Sequence, residues 1–274
     1  MFKRFTLAIA LAFGGSTADA QSLEFMSGTN MQDPFGTFGG LSALEVSPDG
    51  LSALTLSDRG HIFDLAITRD DDNNISDVKV TRSKHPKFKR DTEGLAIGKG
   101  GTFVSFEGPG QVRKLGGKAL PSHPDFKTMA PNSALEALAI DEAGTLYTLP
   151  ERSGEVGKPF PLYAFKDGAW TIAYQIPRNG PFLPVGADFG PDGLFYLLER
   201  AFTPLGFRTR IRRFDLIKNT QKPVELLRTY PARHGNLEGL SVWRDANDDI
   251  HLTMVSDDNF LPVLRNEIVE YILR

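Results

Sequence analysis

Short apolar runs separated by Gly-, Pro- and Asp-rich turns fill most of the chain, and five pairs of runs follow one order. The five are "LSALEVSPDGLSALTLSDR" (41 to 59), "TEGLAIGKGGTFVSFEG" (92 to 108), "LEALAIDEAGTLYTLPER" (135 to 152), "VGADFGPDGLFYLLER" (185 to 200) and "LEGLSVWRDANDDIHLTMVSDD" (237 to 258). Each reads as a strand, a tight turn and a second strand that stops on an acidic residue. With Val46, Ile97, Ile140, Phe189 and Val242 taken as equivalent, the spacings are 51, 43, 49 and 53 residues. A repeat of about 40 to 50 residues with several strands in each unit is the pattern of propeller blades. Further strand-like runs follow the motifs, among them "HIFDLAI", "DVKVTR", "PLYAF", "WTIAYQI", "RTRIRRFDL" and "PVELLRTY", and supply third and fourth strands.

The last motif is followed only by "EIVEYIL", which leaves its blade one strand short, and the run "SLEFMSG" (22 to 28) is placed to fill the gap. The expected fold is therefore all-β: a β-propeller of five blades closed by the N-terminal strand, or of six if a divergent blade hides in a linker. Helical periodicity is almost absent, and 27 Gly and 18 Pro keep turns dense throughout.

Composition narrows the function classes. The formal charge of -3 arises from 31 basic and 34 acidic residues without a block of one sign, so nucleic acid is not an expected partner. Residues 1–20 carry Lys3 and Arg4, an apolar stretch from Phe5 to Phe13 and the small-x-small order Ala18-Asp19-Ala20. This order reads as a signal peptide cleaved after Ala20, leaving 21–274 as the mature domain, periplasmic or secreted. The apolar stretch is well short of the roughly 20 residues that span a bilayer, so no membrane span is expected. The chain has no cysteine and hence no disulfide framework, which a domain of 274 residues does not need. A monomer acting on a small anionic substrate or ligand is the expectation.

In a propeller the first-strand start and the second-strand end of each blade lie on the same face. That places Glu93, Glu136 and Glu238 beside Asp58, Glu107, Glu151, Glu199 and Asp257 on one rim around the axis. Two carboxylates about 4 Å apart repel by about 4 kcal/mol at an effective dielectric near 20, so such a ring needs countercharge. Arg59, Arg152 and Arg200, each next in sequence to one of the acids, can supply part of it. A bound cation can supply the rest, and oxygen ligands without His or Cys select Ca²⁺ or Mg²⁺. The alternative is purely structural: each acid pairs with an arginine or caps an amide, and the ring ties blades together.

The ordered set "FGGLSALEVSPDG", "LSDRG", "DTEGLA", "SFEG", "ALEALAID", "LPERSG", "ADFGPDGLFYLLER", "IRRFDL", "LEGLSV" and "VSDDNF" resembles the phytase-like family of exported bacterial proteins labelled "esterase-like activity of phytase". The resemblance covers roughly residues 38 to 273. It implies a propeller with one functional face and Ca²⁺-dependent phosphomonoesterase or esterase activity. Similarity to propeller phytases implies Ca²⁺ ligation by Glu93, Glu136 and Glu238, and phosphate contacts from Arg59, Arg152 and Arg200, with Lys89 and Arg90 just before "DTEG". The longer acidic inserts and the concentrated Lys/Arg cluster of true phytases are missing from this sequence.

Other chemistry finds little footing. No G-x-S-x-G elbow occurs, so an esterase here has to be metal-assisted. The five histidines (61, 85, 123, 234 and 251) show no H-E-x-x-H spacing, and His234, just before "NLEGL", is a candidate acid or base. The acidic turns at 69 to 77 and 244 to 250 lack the Gly and Glu of an EF-hand loop and read as hairpin turns. Two other functions fit the same rim: a non-catalytic propeller that binds a ligand or protein, and a gluconolactonase-like lactonase using Asn132, Asn236 and Asn259 near the acids.

Overall fold

A computed structural model describes residues 21–32, 36–86, 88, 90–130, 133–218, 222–261 and 263–274. The leader expected at 1–20, Lys89 and Asn132 lie outside the described residues. The rest is a ring of five small antiparallel sheets, a five-bladed β-propeller without an α-helix among the described residues.

The first blade holds β2 (Leu41–Val46), β3 (Ser52–Ser57), β4 (Ile62–Arg69) and β5 (Ile75–Lys84); the second holds β6 (Thr92–Gly98), β7 (Gly101–Phe106) and β8 (Gln111–Lys114). The third comprises β9 (Leu135–Ile140), β10 (Leu146–Pro150), β11 (Phe160–Lys166) and β12 (Ala169–Ile176). The fourth comprises β13 (Leu183–Phe189), β14 (Phe195–Thr203), β15 (Gly206–Phe214) and β16 (Val224–Arg228). The fifth takes β17 (Asn236–Arg244), β18 (Ile250–Asp257) and β19 (Glu267–Leu273) from the end of the chain and β1 (Leu23–Asn30) from its beginning. Pairing of β1 with β19 runs from Leu23 opposite Leu273 to Asn30 opposite Glu267, so the ring closes as the sequence pattern predicts.

Among the described residues the second blade has three strands. In place of a fourth, the chain makes a short 3-10 helix, Pro124–Lys127, whose first turn is capped by the His123 imidazole accepting from the Asp125 amide. Phe126 on that helix is fully buried, with Tyr163 and Trp170 of the third blade edge-on at ring distances of 5.0 and 5.4 Å. One aromatic wedge thus covers the flank that an outer strand would otherwise cover.

The inner strands β2, β6, β9, β13 and β17 pack side by side around the axis. Three residues before each repeat anchor stands a small side chain: Ala43, Gly94, Ala137, Gly186 and Gly239. Five blades bring these positions so close that the axial cavity is only about 10 Å³. A Cβ built on Gly186 would lie 2.2 Å from the Glu238 carbonyl oxygen of the next inner strand. Because backbone blocks it, Gly186→Ala is expected to cost at least about 1 to 3 kcal/mol, read as a lower urea midpoint.

Candidate functional site

The rim is built by one irregularity repeated in every blade. Pairing of each inner strand with its neighbour skips the residue four before the repeat anchor: Ser42, Glu93 (together with Gly94), Glu136, Val185 and Glu238. A β-bulge at that point leaves the residue out of the ladder and re-aims its side chain. Three of the five positions carry glutamate, and all three glutamates are buried. Nothing in the apolar pattern marks a bulge, so the sequence shows the acids but not the device that aims them.

The second-strand ends complete the site. The amides of Asp58, Glu107 and Glu151 donate to the carbonyls of Gly40, Asp91 and Ala134, while Arg200 pairs with Leu183 and Asp257 with Asn236. These five residues are equivalent, so the fourth blade offers the rim a guanidinium where the others offer carboxylates. Glu199, expected on the rim, is one residue out of register. A strand alternates its side chains between two faces, so one step sends Glu199 to the opposite side from Arg200. There it is fully buried between Arg210 and Arg212 of β15, with both oxygens accepting at 2.7 to 2.8 Å from the two guanidiniums.

The other seven acids do converge. Glu93 feels Glu136, Glu238, Glu107 and Asp58; the Glu107 carboxyl shares a hydrogen bond with Glu136; Asp58 feels Asp257. Burial first, and then the neighbouring charges, push Glu93 and Glu136 well above the ordinary carboxylate range. Burial likewise raises Glu238 to about 7 against the opposing pull of Arg200, and Asp58 to about 6. Glu107 and Asp257 are also raised, chiefly by burial.

Countercharge comes mainly from Arg200. Its guanidinium donates to the Asn236 side-chain oxygen at 2.8 Å, to Glu151 at 3.3 Å and, in a very short contact, to Glu238. Burial opposes its charge, but Glu238, Glu136 and Glu151 outweigh burial and hold the group above its ordinary value. Asn236 in turn donates to Glu238 at 2.8 Å and to Asp257 at 3.3 Å. Arg59 and Arg152 contribute less than their positions in sequence suggest. Arg59 is exposed and stacks over the Phe260 ring, 3.3 Å from its centroid, and Arg152 is 64% exposed while touching Glu151 at 3.2 Å.

His234 is not brought to the acids. It is buried against β19, with Nε2 2.6 Å from the Tyr271 hydroxyl. Arg90, which precedes "DTEG", reaches the Pro109 carbonyl at 3.2 Å.

Beside the rim, between the third and fourth blades, lies a cavity of about 500 Å³ walled by Arg152, Arg178, Leu183 and the glycine-rich turn holding Gly154 and Gly157. Arg178 hydrogen-bonds Ser153 at 3.4 Å, and its Nε is buried without a partner. The sequence reading missed this residue because it sits in the "IPRNG" connection outside the repeated motif.

The donor chemistry fits a hard divalent cation: carboxylate oxygens outnumber positive charges on the rim, and one Asp58 oxygen is buried without a hydrogen-bond partner. Among the described residues, no three ligand-type side chains already stand around one point at coordinating distance.

A family profile described as "Phytase-like: Esterase-like activity of phytase" matches residues 36–260. The chain belongs to this family.

No curated protein sequence matches the chain. Among solved structures, a calcium-binding protein, regucalcin, from Agrobacterium tumefaciens aligns over 90% of this chain and 95% of its own, with 10% identity and a TM-score of 0.49. A gluconolactonase from Xanthomonas campestris aligns over 81% of this chain and 68% of its own, with 13% identity and a TM-score of 0.44. The WD40 repeats of RRP9 align over 92% and 100%, with 9% identity and a TM-score of 0.40. Likeness this distant carries no argument about activity, and the site itself has to supply it. Among the described residues no helix is long and apolar enough to cross a membrane.

Proposed function

We propose that this family member is an exported hydrolase of a small anionic ester, a phosphate ester first, with the carboxylate rim as its active face and Ca²⁺ as its cofactor. The observation that supports this reading is the gathering of seven carboxylates, with Arg200 as their main countercharge, on a face where three of them are aimed by bulges. Glu93, Glu136 and Glu238, with Asp58, would hold the cation. When bound, Ca²⁺ supplies charge stabilisation at the substrate oxygens and lowers the proton affinity of bound water. The chain's own groups bind and orient the substrate. Arg152 and Arg178 face the neighbouring cavity and bind an anionic group there through paired N–H donors. Export rests on the leader-like order of residues 1–20.

The test is turnover of nitrophenyl phosphate and nitrophenyl acetate with Ca²⁺ and with chelator. Phosphate-ester turnover that requires Ca²⁺ is expected, with Arg178→Ala raising KM for the anionic ester about tenfold and leaving the neutral ester unchanged. A second reading is favoured by the bonds of Arg200, which links Glu151 of the third blade to Glu238 and Asn236 of the fifth. On that reading the rim is a structural clasp on a binding propeller. Absence of turnover and of any Ca²⁺ response would leave it standing.

A further inference from the structure

A second polar cavity, of about 340 Å³, opens on the outer side of the fifth blade between β1, the loop before β17 and the start of β19. None of the seven rim carboxylates lines it. Its walls hold two guanidiniums, Arg233 and Arg265, and one carboxylate, Glu267. With a neutral His234 the local charge is one positive, in a chain whose net charge is -3.

Arg233 lies over the Phe25 ring, 4.8 Å from its centroid, and its charge acts on the Tyr271 hydroxyl. That hydroxyl is 2.6 Å from His234 Nε2. Nδ1 stands 4.0 Å from Glu267, beyond hydrogen-bond reach. Glu267 is occupied, taking the Gly235 amide and lying 3.6 Å from Arg265. The cavity therefore offers donors from two guanidiniums beside the His234 ring, with the partly exposed Phe25 ring as an apolar wall. Its volume is at the small end of the range for small-molecule sites.

We propose that this cavity binds a small oxyanion, carboxylate or phosphate, gripped between Arg233 and Arg265 beside His234 and separate from the rim. Burial first, and then the charges of Arg233 and Arg265, hold His234 down at about 4. The groups facing it are Arg233 from its own loop, and Arg265, Glu267 and Tyr271 from the side of β19. A bound anion screens both guanidiniums, so it favours the protonated ring and the His234 midpoint rises.

Imidazole NMR of the mature protein during titration with inorganic phosphate, and separately with benzoate, is the test. Saturable shifts at His234 are expected, with its midpoint rising by about one unit, a tenfold gain in proton affinity. Arg265 is half exposed, so Arg265→Ala should weaken binding about tenfold at an unchanged melting temperature. A response to phosphate alone, or to benzoate alone, identifies the head group. Glu136→Gln, on the rim, should leave the response unaltered, which separates this site from the proposed active face. No shift at His234 with either anion, or shifts undiminished in Arg265→Ala, overturns the proposal.

Discussion

Glu199→Gln is expected to lower stability by about 3 to 5 kcal/mol, equally with Ca²⁺ and with chelator. The carboxylate is wholly buried, and each of its oxygens accepts from both Arg210 and Arg212. The two arginines are themselves buried, and their remaining donors end on the carbonyls of Asn179 and Pro177 at 2.8 Å. Glutamine keeps the shape but removes the charge, and turns an amide N–H₂ towards guanidinium donors. Two desolvated cations are then left without an anion, the situation in which breaking a buried pair costs most. For a domain of this size the loss corresponds to a fall in melting temperature of about 6 to 20 °C. A variant within about 1 kcal/mol of the parent, or one with a weakened Ca²⁺ response, would return Glu199 to the rim.

Glu136→Gln should act in the opposite direction. The rim carboxyls are raised, so the folded state holds protons that the unfolded chain has already released at the same pH. Stability then falls as pH rises, because the unfolded state binds fewer protons. For Asp58 and Glu238 the contribution is fully present below their ordinary values near 4 and is lost as pH climbs through about 6 and about 7. The chelated parent should therefore lose stability between about pH 5 and pH 8. Glu270 is held down at about 2 by His251 and Arg69, against its burial, and its contribution is lost only in more acid solution.

Removing the Glu136 charge relieves repulsion on Glu93, while the glutamine amide can still hydrogen-bond Glu107. The chelated variant should match the parent at pH 5, exceed it by roughly 1 to 3 kcal/mol at pH 8, and show a flatter slope between them. Stabilisation by Ca²⁺ follows RT ln(1 + [L]/Kd), so a lost ligand should shrink the midpoint shift, and turnover should fall with it. Thermal melts at both pH values, each with Ca²⁺ and with chelator, check all three outcomes. A large loss in chelator together with an undiminished Ca²⁺ response would make the rim the clasp that Arg200 holds shut.

The repeat, the five blades and closure by the N-terminal strand could be read from the sequence, because apolar runs and turn residues are local signals that recur in every blade. So could most of the rim acids, because Glu93, Glu136 and Glu238 stand four residues before their repeat anchors and the others end second strands. What adjacency in sequence misrepresents is direction. Glu199 and Arg200 are neighbours in the chain, yet the two-residue period of a strand sends one into a buried triad and the other onto the rim. Arg59 and Arg152, each next to a rim acid, are exposed to solvent, whereas Arg200 from the fourth blade reaches acids of the third and fifth. The bulges that aim Glu93, Glu136 and Glu238, and the meeting of Arg178 with Arg152, depend on how strands register and how blades abut. His234 precedes a rim motif in the chain but packs on Tyr271 of another strand. Such pairings join residues tens of positions apart through shape and desolvation, so only the packed ring decides which charges face one another.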